Sequence, residues 1–289
     1  MTVTEKTPGI TLIRAEGRPQ GRLELNLPLV SDFLIAFLRD EVGRKGFDKV
    51  LVALSGGVDS AVTAYLAARA FGPENVCVLR LPYRTSSPAS LEHAGLVIDD
   101  LGVHSETIDI TAAVDGYASL APGITPHRKG NLMSRVRMMI GFDKSAQWAA
   151  LPLGTGNKTE RLFGYYTWHG DDAPPVNPLG DLFKTQVWAL AKHLGVPDEV
   201  VSKPPSADLI EGQSDEGDLG ISYERADTIL LHHLAGYEDG SIRGLGFEQR
   251  ELDLVKGKVA QTHWKRQGPI QAMISSTAIG EFYLRPVDY

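Results

Sequence analysis

Lys49-Val50-Leu51-Val52-Ala53-Leu54 is a short, almost wholly apolar run, and it leads straight into Ser55-Gly56-Gly57-Val58-Asp59-Ser60. A run of this kind, bounded by Asp48 and a serine–glycine turn, fits a strand buried on both faces of a parallel sheet. The residues that follow, Ser60 to Phe71, are rich in helix formers and stop at Gly72-Pro73. The glycines allow a tight turn with exposed N–H groups, and a helix start carries positive partial charge, so the turn suits an anionic phosphate. Ser55 and Ser60 add hydroxyl donors. No GxxxxGK[ST] is present to place a lysine against a transferring γ-phosphate, and no GxGxxG follows the strand. Asp59 in a phosphate cradle repels its ligand unless a metal lies between them, which makes it a candidate magnesium ligand. On spacing alone it equally fits a helix cap.

Outward from this unit the alternation repeats. Upstream, Leu29, Val30, Phe33, Leu34, Phe37, Leu38 and Val42 recur at helical spacing from Pro28, with Gly43 and Gly46 as the stop. Downstream, Val76–Leu81 reads as a strand, Ala89–Leu101 as a helix closed by Gly102, and Val103–Ile110 as a third strand. A longer helix is expected over Asn131–Ala150 and a fourth strand over Ala150–Leu153. Strands alternating with helices predict an α/β fold, a doubly wound and mainly parallel sheet flanked by helices. In such sheets ligands sit at the carboxyl ends of the strands, which puts the loops after Leu54 and Leu153 in one crevice. Residues 1–27 read as a loose or strand-like arm, 28–269 as the main domain and 270–289 as a tail. Beyond Gly170 the chain is irregular, then helical over Leu182–Leu194. The polar segment Lys203–Gly220 reads as a loop long enough to serve as a lid.

Composition narrows the function classes. Lys and Arg total 29 against 36 Asp and Glu, a formal charge of −7 over 289 residues, which argues against non-specific nucleic-acid binding. The single cysteine, Cys77, excludes an intramolecular disulfide, a zinc site of paired cysteines and two-thiol chemistry. Lying in an apolar strand, it is expected in the core. The eight histidines form no HxxxH or HxH, and none is assigned a role. The N-terminus has no apolar signal core, so a cytoplasmic protein with no membrane partner is expected.

The hexamer Ser55–Ser60 resembles the pyrophosphate-binding loop of the N-type ATP pyrophosphatases, which are adenine nucleotide α-hydrolase-like in fold and cleave ATP to AMP and pyrophosphate. Further blocks resemble the NAD synthetase family in its order and spacing. They are Val78–Tyr83, Gly130-Asn131 with Arg135–Met138, Gly154–Glu160, Gly164–Thr167 with Gly170-Asp171, Pro178–Thr185, Lys203–Leu209, Gly212–Glu216, Leu219–Tyr223 and Lys265-Arg266. The chain looks like the short form without a glutaminase domain. The resemblance implies ATP-dependent amidation of deamido-NAD by ammonia through an NAD-adenylate, with Mg2+, in a homodimer, the ammonia being free or supplied by a separate glutaminase.

It also implies roles. Asp59 and Glu160 hold magnesium and, with Lys184, form the catalytic set. Ser55, Gly56, Gly57, Asp59, Ser60, Arg80, Leu81, Thr155, Lys184 and Ser206 match ATP contacts, while Arg135, Asp171 and Lys265 match deamido-NAD contacts. Lys265 is expected to arrive through the dimer or a folded-back tail. Read alone, Glu160 is an ordinary helix-start acid, Lys184 and Lys265 are surface lysines, and Arg135 and Arg137 a solvated helix face. Trp168, Trp188 and Trp264 read as packing anchors.

Four places depart from the pattern. Trp168 replaces a polar or basic residue, Pro175 an acid, and Trp264 a histidine, while Thr85–Glu92 lacks the usual Gln and acids. The departures leave ATP activation untouched and fall on nicotinate-nucleotide recognition. Stacking of Trp168 or Trp264 on the pyridine ring, with Asp172 in place of the lost acid, would restore it. Two other readings are open to a chain of this kind. One is an ATP pyrophosphatase acting on another acid, such as the synthetase domain of GMP synthetase, or one that thiolates tRNA. The other is an ATP-binding regulatory module without turnover. Cys77 and the negative charge argue against thiolation, and the presence of Asp59, Glu160 and Lys184 argues against an inert module.

Overall fold

The computed structural model describes residues 2–7, 10–14, 22–206, 214–268, 270, 272 and 274. Four parallel strands form the central sheet: β3 (Val50–Ala53), β4 (Val76–Arg80), β5 (His104–Thr107) and β6 (Leu151–Leu153), in the spatial order β5-β4-β3-β6. The chain builds outward from β3 through β4 to β5, then returns to place β6 on the far side of β3. The order therefore reverses between β3 and β6, and the crevice at such a switch point is where open α/β sheets bind ligands. A separate antiparallel pair, β1 (Thr2–Thr7) and β2 (Ile10–Arg14), occupies part of the expected arm.

Strand pleating sorts the side chains to two faces. Val50, Val52, Val76, Val78, Leu151 and Leu153 face one core, formed with α1 (Leu27–Arg44), α2 (Val58–Phe71), α3 (Pro88–Leu101) and α7 (Lys184–Leu194). Leu51, Cys77 and Leu79 face the other, against α4 (Thr111–Ser119) and α5 (Pro126–Trp148). Cys77 is wholly buried, and burial pushes its thiol up to about 12, so it is core and not a thiolate. A third core joins α6 (Lys158–Phe163) to α10 (Tyr223–Leu234), α11 (Asp239–Arg243) and α12 (Gln249–Gln261). Short helices α8 (Asp198–Val201) and α9 (Asp215–Leu219) precede it.

The doubly wound expectation holds, with local corrections. The long helix starts at Pro126, not Asn131, because Thr125 caps it, its side chain accepting from Arg128 N, and Pro126 occupies the first turn. Its buried positions include Gly130, Ser134, Gly141 and Ser145, which blur the apolar period. The third strand is confined to His104–Thr107, and α4, which begins at Thr111, was not anticipated. Lys203–Gly220 is not loop throughout: Ser214 caps α9, and residues 207–213 lie outside the described residues. The tail expected at 270–289 also lies outside them, apart from residues 270, 272 and 274.

Candidate active site

The turn after β3 is shaped by Gly56. Its φ is +77°, and a Cβ there would lie 2.0 Å from Ser90 O, so only glycine fits. Ser60 Oγ binds the turn together, accepting from Ser55 N at 3.2 Å and donating to Gly57 O at 3.0 Å. The two serine hydroxyls are 3.1 Å apart. The loop is thus closed on itself with α2 starting behind it.

Three helix starts then converge. Asp59 lies in the first turn of α2, Glu160 in the first turn of α6 and Lys184 at the first position of α7. Lys184 is no surface lysine. It is 2% exposed, and its Nζ pairs with Asp59 Oδ2 and with Glu160 Oε1, the latter at 3.4 Å. Burial opposes its charge, yet the two carboxylates more than offset that and hold its pKa above the ordinary lysine value. Burial pushes the Glu160 carboxyl up to about 8, and the negative charge of Asp59 adds to the shift.

Asn157, which sequence reasoning assigned no role, joins the two acids. Its Oδ1 accepts from Glu160 N at 2.9 Å, its Nδ2 donates to Asp59 Oδ1 at 2.9 Å, and Glu160 Oε2 accepts from Asn157 N at 3.3 Å. The Asn-x-x-Glu spacing of a capping box was the available signal. Asp227 was missed as well. It is buried and accepts from Thr159 Oγ1 at 2.5 Å, from Thr185 N at 2.9 Å and from Thr185 Oγ1 at 2.8 Å, while Thr159 Oγ1 accepts from Lys184 N at 3.0 Å. It thereby fixes the start of α7. Asp215, in the first turn of α9, accepts from Tyr223 OH at 3.0 Å and Tyr165 OH at 3.2 Å, and burial raises its pKa.

A cavity of about 930 Å³ opens over this cluster. It is lined by Ser55, Gly57, Asp59, Ser60, Arg80, Leu81, Arg135, Thr155, Glu160, Asp171, Lys184, Ser206 and Lys265; of the expected site residues only Gly56 lies behind the wall. Arg80 Nε is buried there with no hydrogen-bond partner. Three of the expected contacts are engaged with the protein. Arg135 donates to Trp168 O at 3.1 and 3.3 Å, and Asp171 accepts from Ser134 Oγ at 2.8 Å and Thr167 N at 2.9 Å. Lys265 Nζ donates to the carbonyls of Gly164 and Tyr166, both at 2.6 Å. Lys265 arrives on the 3-10 turn His263–Arg266, which folds back within the same chain. Trp188 packs against Tyr223, centroids 5.9 Å apart, as an anchor, whereas Trp168 and Trp264 line the cavity. Asp172 does not line it; its carboxylate accepts from Gly170 N at 3.3 Å in its own loop.

The donor set suits magnesium. Two carboxylates face one ammonium, and no group of three or more His, Cys, Asp or Glu side chains is arranged to hold a metal among the described residues. Magnesium takes one or two carboxylates and completes its shell with phosphates and water, so the residues fit an ion shared with a nucleotide.

Comparison with solved structures defines the class. An NMN synthetase from Francisella tularensis superimposes with a TM-score of 0.78 at 29% identity, covering 87% of this chain and 100% of the other. An NH3-dependent NAD synthetase from Campylobacter jejuni, in complex with nitrate, gives a TM-score of 0.74 at 28% identity, covering 86% and 100%. The fold is that of the N-type ATP pyrophosphatases. Sequence resolves it further: an NH(3)-dependent NAD(+) synthetase of Chlorobaculum parvum is 48% identical over 259 residues, 89% of this chain and 94% of its own. The NAD synthase family model matches residues 30–269, and the chain belongs to that family, whose members are ligases forming a carbon–nitrogen bond.

Proposed function

We propose that the chain makes NAD from deamido-NAD, ATP and ammonia. The nicotinate carboxylate attacks the α-phosphorus of ATP and displaces pyrophosphate; ammonia then attacks the resulting NAD-adenylate, giving the amide and AMP. The observation that carries this reading is the Asp59–Lys184–Glu160 cluster beside the glycine turn, at the sheet's switch point.

In this reading Ser55, Gly56, Gly57 and Ser60 cradle the leaving pyrophosphate with hydroxyls and backbone N–H groups. Asp59 and Glu160 hold magnesium, which supplies charge neutralisation at the phosphates when bound. Lys184, paired here with both carboxylates, would turn its ammonium to the phosphates were those carboxylates engaged with a cation. Arg80, with a buried Nε lacking a partner, takes the adenosine side of ATP with Leu81, while Thr155 and Ser206 complete the ATP contacts. Arg135, Asp171 and Lys265 lie toward the deamido-NAD side. The test is release of AMP and pyrophosphate that requires both deamido-NAD and ammonia. Formation of ADP, or turnover without a nicotinate nucleotide, defeats the reading.

A second acceptor, nicotinate mononucleotide, is raised by the likeness to the Francisella NMN synthetase. The ratio of kcat/KM for the two acceptors decides between them. The same reading includes a cytoplasmic homodimer, with ammonia free or drawn from a separate glutaminase. Exposed Met139 and Phe142 on α5 support a second copy, to be checked by sedimentation. No helix among the described residues is long and apolar enough to cross a membrane.

A further inference from the structure

Lys184 is held from the side away from the cavity. α7 begins at this residue, and its N-cap, Phe183, has no polar side chain to take the free N–H groups of the first turn. Two other helices take them. Lys184 N donates to Thr159 Oγ1 at 3.0 Å, and Thr185 N donates to Asp227 Oδ2 at 2.9 Å. Thr159 precedes Glu160 on α6, and its hydroxyl donates in turn to Asp227 Oδ1. Lys158 N donates to Leu182 O at 2.8 Å, so the starts of α6 and α7 are tied to each other as well. One carboxylate on α10 thus stands behind both Glu160 and Lys184. The same helix reaches the other end of the lysine. Tyr223 lies one turn before Asp227 on the same face of α10, and its ring centroid is 5.3 Å from Lys184 Nζ. Trp188, one turn after Lys184 on α7, meets that ring edge-on. Tyr223 and Asp227 are wholly buried, and neither lines the cavity.

We propose that Tyr223 and Asp227 form a seat on α10 that sets where the Lys184 ammonium stands relative to Glu160, and that both are positioning residues for the release of pyrophosphate from ATP. The inference rests on the role given to Lys184 above. A serine or aspartate at position 183 would cap α7 locally, but it would fix α7 alone. A cap supplied from α10 through Thr159 fixes α7 relative to α6, and so fixes the backbone of the lysine relative to that of the glutamate. Anchoring the backbone does not place the ammonium, because a lysine stem is long and rotatable. The Tyr223 ring supplies the second point. It attracts the cation without neutralising it, which leaves the charge available to phosphate. Asp227 is otherwise hard to explain, since its buried neighbours on α10 are Ala226, Ile229 and Leu230, and an apolar side chain would be buried there at less cost.

The experiment measures kcat, KM for deamido-NAD and Tm for Asp227→Asn, Tyr223→Leu and Tyr223→Phe, each alone and combined with Lys184→Met. Val255→Ala, buried in the same core, is the control for lost packing. Asp227→Asn and Tyr223→Leu are expected to lower kcat by about tenfold to a hundredfold with KM for deamido-NAD unchanged. Tyr223→Phe keeps the ring and recovers most of the loss, while Val255→Ala lowers Tm and not kcat. Combined with Lys184→Met, the same substitutions cost little further, because residues that act through one group are not additive. Losses of equal size with and without Lys184 overturn the proposal, as do a parent-like kcat in either folded seat variant and a Tyr223→Phe protein no better than Tyr223→Leu. Reductive methylation of Lys184, followed by peptide mass spectrometry, needs no turnover. It is slow in the parent and faster in the two seat variants than in Val255→Ala; equal rates in all three overturn the seat. A parent that makes no AMP from deamido-NAD and ammonia overturns the functional reading, and the methylation rates still decide whether α10 holds the lysine.

Discussion

Asn157 is wholly buried and serves two elements with one amide. Its oxygen caps α6 and its nitrogen holds Asp59, so replacement by alanine removes both contacts. Loss of an N-cap costs about 1 kcal/mol. Leaving Asp59 Oδ1 short of its donor costs about 1–3 kcal/mol, and because Asp59 keeps some exposure the lower half of that range applies. Asn157→Ala is therefore expected to lose roughly 2–3 kcal/mol, or on the order of 5–10 °C in Tm for a chain of this size. Asn157→Asp separates the two contributions. Aspartate caps a helix as well as asparagine does, but it sets a second carboxylate against Asp59. Two charges at that range repel by up to about 4 kcal/mol at an effective dielectric near 20, and protonating one of them relieves the strain. The repulsion exists only while both carboxylates are ionised, so the Asn157→Asp deficit is expected to be smaller at about pH 5 than at about pH 8. Urea and thermal melts at the two pH values, without nucleotide or magnesium, measure this. An alanine variant as stable as the parent, or an aspartate variant whose deficit does not grow with pH, would refute the reasoning.

Four further outcomes are expected. Magnesium needs Glu160 ionised, and with that carboxyl pushed up to about 8 the ion's affinity falls by up to about tenfold per pH unit below it, a dependence that calorimetric titration reads and Glu160→Gln flattens. The same raised folded pKa means that Glu160's contribution to stability is present below the ordinary carboxylate range and lost as pH rises through about 8, so Glu160→Gln also flattens the decline in Tm over that window. Gly56→Ala places a side chain at φ +77° against Ser90 O, costs about 1–3 kcal/mol by strain alone, and raises the KM for ATP in steady-state assays. Asp227→Asn, which puts a donor where Thr159 or Thr185 already donates, is expected to lower kcat more than it lowers Tm, because the start of α7 carries Lys184; equal kcat in variant and parent counts against that role.

Most of the sheet could be read in the sequence because β3, β4 and β6 are short apolar runs, β3 and β6 leading into glycine turns, and both faces of β3 and β4 are buried. The glycine turn was legible for the same reason, since its conformation is local. What escaped is where local signals conflict or distance intervenes. The long helix α5 buries glycine and serine against the cavity, so its start carried no apolar stripe. Lys184 reads as a surface lysine until chain topology brings it to Asp59, 125 residues away in sequence. Asp227 sits on a helix with nothing beside it to mark its three hydrogen bonds, which go to Thr159 and Thr185 on other elements. The departures at Trp168 and Trp264 were visible as substitutions, but their edge-to-face contact was not.

The charge pattern at the switch point explains why a lysine is buried there at all. Asp59, Glu160 and Asp215 act on one another electrostatically, and Lys184 supplies a single positive charge among them. Burying the ammonium alone would be strongly unfavourable, and so would burying the carboxylates alone; together they are tolerated but not neutral. In the proposed reading a divalent cation bound with ATP would correct that imbalance in both directions, since the ion would satisfy the acids and the phosphates the lysine. The carboxylates cannot be removed without stranding Lys184, nor Lys184 without stranding the carboxylates. A site built only for stability would carry apolar side chains in place of all four groups, so their presence beside the glycine turn is an argument for chemistry at this point of the sheet.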